Sequence, residues 1–214
     1  RTYMLKVYNY MSIALGLTGV VAYTSSTSQS LMSAIYGTPL QWVVMLAPLG
    51  LVFFLSAKIS TMKAQTAQMV FWVYAGLMGL SLSYIFMVYT GASITRVFFI
   101  TSGAFAGLSL YGYTTKRDLS GMKSFLVMGV IGLMIAMVVN IFLESSAMQF
   151  VISVLGVLIF AGLTAYDTQQ IKSIYMKSDG SETHEKKAIM GALRLYLDFL
   201  NMFLFMLHLF GNRE

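Results

Sequence analysis

The chain has 214 residues, of which 57% are hydrophobic and only 10% charged, whereas soluble domains carry about 25% charged residues. With a mean hydropathy of +0.74, that balance excludes a water-soluble globular protein and points to a polytopic protein whose main partner is the lipid bilayer. The net charge of +6 is no sign of nucleic-acid binding, because the bases lie in short loops between apolar segments, as orientation signals do.

Cys is absent, which removes disulfides, thiol catalysis and Cys-based metal sites. The longest polar segment is 172–187, so a single membrane domain is expected over 1–214. Residue 1 is Arg, not Met. An N-terminal tail is therefore expected to have been removed or to lie beyond this sequence. No signal peptide with a cleavage site is visible.

Seven apolar segments follow in order, at roughly 4–24, 40–57, 68–90, 93–114, 122–143, 148–171 and 188–210. The first carries Lys6 and Asn9 near one end, and a Ser/Thr-rich link from Thr24 to Ser30 follows it. Pro39 and Pro48 bracket the start of the second. Pro48 is a possible kink. The fourth contains Gly103-Ala-Phe-Ala-Gly107, a small-xxx-small spacing that lets helices approach closely. The fifth has Asn140 near its end, with Glu144 just beyond in solvent. Internal repeats of the transporter kind are not apparent.

The loops set the orientation. Eleven bases (Arg1, Lys6, Lys58, Lys63, Lys116, Arg117, Lys123, Lys172, Lys177, Lys186, Lys187) fall on one side and two (Arg96, Arg213) on the other, with Arg194 inside the last helix. The basic side is the cytoplasmic one. The N-terminus is then expected in the cytoplasm and, after seven crossings, the C-terminus outside.

Two acids lie within the apolar segments. Asp167 closes the sixth, in GLTAYDTQQIK, on one face with Ser153, Gly156, Phe160 and Thr164. Small and polar groups along one face mark a surface pressed against a helix or lining a cavity. Asp198 lies near the middle of the seventh, AIMGALRLYLDFLNMFLFMLHLF. Taking Arg194 as zero at about 100° per residue, Asp198, Asn201 and His208 lie at roughly 40°, −20° and −40°. That narrow polar face must look into protein or water, since a carboxylate facing lipid there costs at least ~2.5 kcal/mol.

Segments six and seven are consecutive and antiparallel, so Asp167 and Asp198 can meet. Two carboxylates close together in a low dielectric cannot both ionise cheaply, and the pair holds one proton between them. Such a pair is a pH-sensitive latch. Its oxygens are also what a hard cation such as Ca²⁺ needs from a metal site. Two structural alternatives stand beside it. Asp198 could pair with Arg194, four residues earlier, and Asp167 could lie near enough to the surface to stay hydrated.

HExxH, GxSxG, P-loop and GxGxxG motifs are missing, so neither an enzyme nor a resident cofactor is expected. His184 sits in SDGSETHEKK, read as a solvated connector, and His208 lies near the outer end of the last helix, either as an interfacial histidine or as a pH sensor. The seventeen Met residues are scattered through apolar helices, as packing material is.

GLSLYGYTTKRDLS (107–120), NIFLESSAMQF (140–150), GVLIFAGLTAYDTQQIK (156–172) and GALRLYLDFLNMF (191–203) resemble the Bax inhibitor family of membrane proteins, most closely its bacterial YetJ- and YccA-like branch. The resemblance is strong over roughly 70–213 and looser over the first two helices. It implies an all-α fold of seven transmembrane helices, two three-helix layers around the last, in the bacterial inner membrane. It also implies a pH-sensitive calcium leak controlled by a hydrogen-bonded aspartate pair, matched here by Asp167 and Asp198. Arg194, Asn201 and Thr164 are the polar groups placed to support that pair. Some members carry an acid and an arginine near the pore in the second helix. Residues 40–57 contain no acid and Lys58 is the nearest base, so no pore acid carries over. Relatives often have Arg where this chain has His208. YccA-like members are implicated in restraining the membrane protease FtsH, which makes FtsH a second expected partner.

Overall fold

The computed structural model describes residues 1–214. It is built of helices α1 (Thr2–Ser26), α2 (Gln29–Tyr36), α3 (Leu40–Lys58), α4 (Ala64–Leu82), α5 (Ile85–Val88), α6 (Gly91–Thr114), α7 (Lys123–Leu143), α8 (Ser146–Ser173) and α9 (Ser181–Phe210). Seven helical spans are long and apolar enough to cross a membrane, with α4 and α5 counting as one. Hydrocarbon leaves no water to satisfy backbone groups, so the spanning chain must bond to itself.

Burial separates the spans. In α7 only 11% of the most apolar stretch is buried, and in α9 67% is. Large side chains such as Phe53, Phe99, Phe125 and Phe142 point outward, as they do where the surrounding medium is itself apolar. The last helix is the most enclosed one, as its polar stripe requires.

Two compact units divide the chain. The first comprises Arg1–Tyr89, Ile174–Tyr196 and Glu214; the second comprises Thr90–Ser173 and Leu197–Arg213. Each holds three membrane-length spans and one half of α9.

In the first unit α1 and α3 pack on α4. Gly79 permits the α1 contact, since a Cβ there would lie 2.7 Å from the Thr18 carbonyl oxygen and from Val21 Cβ. Thr18 donates to the Ala75 carbonyl at 2.8 Å and shares a hydrogen bond of 2.6 Å with the Tyr196 hydroxyl of α9. Tyr196 stands edge-on to Phe71 and Tyr74. Pro48 lies buried inside α3.

The Thr24–Ser30 link is shorter than its composition implies. Helix α1 runs to Ser26 and α2 starts at Gln29, capped by Ser28, whose hydroxyl accepts from Leu31 N–H. His184 is not a solvated connector. It is half-buried within α9, its ring hydrogen-bonded to the Met176 carbonyl at 2.6 Å and stacked on Tyr175. Around it Lys187 donates to Asp179, and Glu185 accepts from both Lys6 and Tyr10 of α1. Polar residues can start a helix when their charges find partners.

In the second unit α6 and α7 pack on α8. The two glycines of the GAFAG motif do not make the contact. Gly103 and Gly107 face outward, with nothing within 4 Å of a Cβ at either. The buried face of α6 is Ser93, Ile94, Val97, Thr101, Phe105, Ser109 and Gly112. A Cβ on Gly112 would lie 2.2 Å from the Ala165 carbonyl oxygen, so here two backbones meet directly. The end of α9 is tied back to the start of α6. Thr90 N–H donates to the Asn212 carbonyl at 3.0 Å, Asn212 N–H to Ser93 Oγ at 2.8 Å, and Arg96 to the Phe210 carbonyl at 3.3 Å.

Candidate functional site

Both candidate acids belong to the second unit. The face of α8 that carries Asp167 is the inward one: Ser153, Gly156 and Thr164 are buried. It is pressed against α9, because a Cβ on Gly156 would lie 2.5 Å from the Phe205 ring, which also stacks on Phe160. Thr164 turns its hydroxyl back to the Phe160 carbonyl at 2.8 Å, so that hydroxyl is satisfied within its own helix.

Helix α6 acts as a ruler for depth. Its Phe105 ring meets Phe199, the neighbour of Asp198, at 5.5 Å between centroids. Its Ser109 hydroxyl meets Thr168, the neighbour of Asp167, at 2.9 Å. Phe105 and Ser109 are one helical turn apart, about 6 Å along the axis. The two acids therefore lie within about one helical turn of each other in depth, on helices joined through the Gly156–Phe205 contact. Asp198 is only 5% exposed, and Asp167 is half-buried.

The polar stripe of α9 is inward only in part. Asp198 is buried and Asn201 half-buried, its side-chain amide donating to the Leu197 carbonyl at 2.8 Å. Arg194 and His208 are exposed, so the stripe faces protein at Asp198 and Asn201 only. A long Arg side chain can carry its charge away from the depth of its Cα. Sequence reasoning missed the Ser109–Thr168 bond and the Gly112 seat. Their signal was the run of hydroxyl and small residues at three- and four-residue spacing on α6.

An all-α polytopic membrane protein, with an acid in each of two adjoining spans, is the class that this geometry defines. The family model described as "Inhibitor of apoptosis-promoting Bax1" matches residues 1–214, and the chain belongs to the Bax inhibitor family. It is 50% identical to an uncharacterized protein of Rickettsia prowazekii, covering all of this chain and 91% of that one. It is 45% identical to the inner membrane protein YbhL of Escherichia coli, over all of this chain and 93% of that one. An uncharacterized membrane protein of Streptococcus pyogenes is 32% identical, with 98% and 92% covered.

Proposed function

We propose that this protein is a passive, pH-sensitive cation leak of the bacterial inner membrane, carrying Ca²⁺ and gated by Asp167 and Asp198. The observation that supports it is the burial of Asp198 within about one helical turn of the depth where α8 presents Asp167. With one proton shared, a short charge-assisted hydrogen bond joins α8 to α9. Removing that proton leaves two adjacent anions whose repulsion in a partly dry site amounts to several kcal/mol. A second proton removes the charge-assisted bond. Either change loosens the contact, so the proton count biases a two-state bundle. In this reading Asn201 and Thr164 shape the walls, and Arg194 is the nearby base that tunes the pair. Oxygen donors from the two acids would meet a passing Ca²⁺ as substrate. No catalytic step and no resident cofactor are part of the reading.

The test is Ca²⁺ flux into proteoliposomes from about pH 5 to 8, a range wide enough to change the proton count of the pair. It compares wild type, Asp167→Asn, Asp198→Asn and the double variant. An amide does not titrate, so each single variant should lose most of the pH dependence. The double variant should resemble either one, because both act through one pair. Single variants that keep the wild-type profile make the aspartates structural. Absence of flux with co-purification of FtsH would replace the leak by the interaction role.

A further inference from the structure

The segment between α6 and α7 is held by two neighbouring side chains of α8, Gln169 and Gln170, the latter donating to Ser120 Oγ at 3.4 Å. Gln169 of α8 donates to the Arg117 carbonyl at 2.8 Å and accepts from Leu119 N–H at 2.9 Å. Leu119 is buried beneath that clamp. Beside it opens a cavity of about 520 Å³, within the size range of ligand pockets. Its floor is apolar, made by Leu108 and Tyr111 of α6, Ala161 and Gly162 of α8, and Met122 ahead of α7.

The mouth differs from the floor. Arg117 and Asp118 line it, and both are exposed, as are the flanking Lys116 and Lys123. Asp118 is engaged by the chain itself: it accepts from Ser120 N–H at 2.9 Å, which holds its carboxyl below the usual carboxylate range. The lining itself carries one base and one acid, and the flanking Lys116 and Lys123 make its surroundings cationic. The cavity also sits where two spans end, after Thr114 and before Lys123, alongside Ala161–Ala165 of α8, more than two turns before that helix ends at Ser173. In a bilayer that is the headgroup level, and hydrocarbon lies beside the floor.

An apolar floor with cationic surroundings at that depth fits an amphiphile with an anionic head. We propose that this cavity binds an anionic phospholipid, one acyl chain on the apolar floor and the phosphate against Arg117 and Lys116. Free phosphate shares the head chemistry but has no use for the floor. The inference is independent of the aspartate pair and stands or falls without it.

Native mass spectrometry of the full chain tests it. Phosphatidylglycerol and phosphatidylcholine with identical acyl chains are added in equal amounts, with inorganic phosphate as competitor. Phosphatidylglycerol should be retained over phosphatidylcholine, and phosphate should not displace it. Arg117→Ala and Lys116→Ala should each weaken phosphatidylglycerol retention about fivefold, the contribution of one base near an anionic lipid, and leave phosphatidylcholine unchanged. Ala161→Leu fills the floor and should abolish the preference with all charges kept. Should that variant fold poorly, Met122→Trp fills the cavity from its exposed side. Equal retention of the two lipids, displacement by phosphate, or wild-type retention in the base variants and in the folded filling variant overturns the proposal.

Discussion

At Gly112 a methyl group would lie 2.2 Å from the Ala165 carbonyl oxygen, with the Ala165 Cα at 2.9 Å. Backbone cannot step aside as a side chain can. Gly112→Ala should force α6 off α8, strain the Ser109–Thr168 bond and destabilise the protein by about 1–3 kcal/mol. Gly103→Ala and Gly107→Ala meet nothing within 4 Å and should be neutral or stabilising by up to ~1 kcal/mol through helix propensity. Thermal unfolding in one detergent checks all three; equal losses at the three positions would contradict the assignment of the contact face. Gly156 offers a second case, since its obstacle is the Phe205 ring. Gly156→Ala should destabilise, and in the double variant with Phe205→Ala the two losses should add to less than their sum. These positions also show what a spacing rule omits. Small residues four apart announce a flat patch on α6, but not whether protein or lipid covers it.

Helix α9 begins at Ser181, seven residues before its apolar stretch starts at Ala188. Hydropathy cannot find those first two turns, because their stability comes from distant groups. Glu182 accepts from Ala64 N–H at 3.2 Å, Lys186 donates to the Ser60 carbonyl at 3.4 Å, and Glu185 ties down Lys6 and Tyr10. Glu185→Gln should speed amide hydrogen exchange in the first turns of α1 and α9, with the rest of both helices unchanged. The cost should stay near or below about 1 kcal/mol, because Lys6 is half exposed and solvent screens it. Exchange that rises along the whole of α1 would mean that the pair holds more than one end. Helix α2 was hidden for another reason. Gln29–Tyr36 is polar enough to pass for a loop, although Ser28 as a cap and the buried Met32 and Ile35 were a readable signature. The seven spans were legible because hydrocarbon tolerates no unbonded backbone and so leaves long apolar runs in the sequence. The burial of Asp198 was legible from its place in the middle of an apolar span. The outward turn of Arg194 was not, since a helical wheel gives an angle and not the identity of what fills that sector.

The proposed orientation of the whole molecule puts Arg1 in the cytoplasm and Glu214 outside, from the eleven bases on one side. Reporter fusions at residue 214 should behave as external, and the 172–187 segment should resist membrane-impermeant labels in intact cells. Cytoplasmic behaviour of the fusion, or labelling of that segment from outside, would reverse the assignment. Orientation matters to the proposed gate, because it decides which compartment's pH would reach Asp167, about one turn from the basic loop.

The clasp of residues 210–212 on Thr90, Ser93 and Arg96 makes the chain end a mechanical terminal rather than a loose tail. A probe placed there rides on the start of α6, the helix that also touches the neighbours of both aspartates. The sequence holds no cysteine, so Arg213→Cys would carry a single spectroscopic label with no background. Its signal across a pH titration would follow the seating of α6 from a position some distance from the acids themselves.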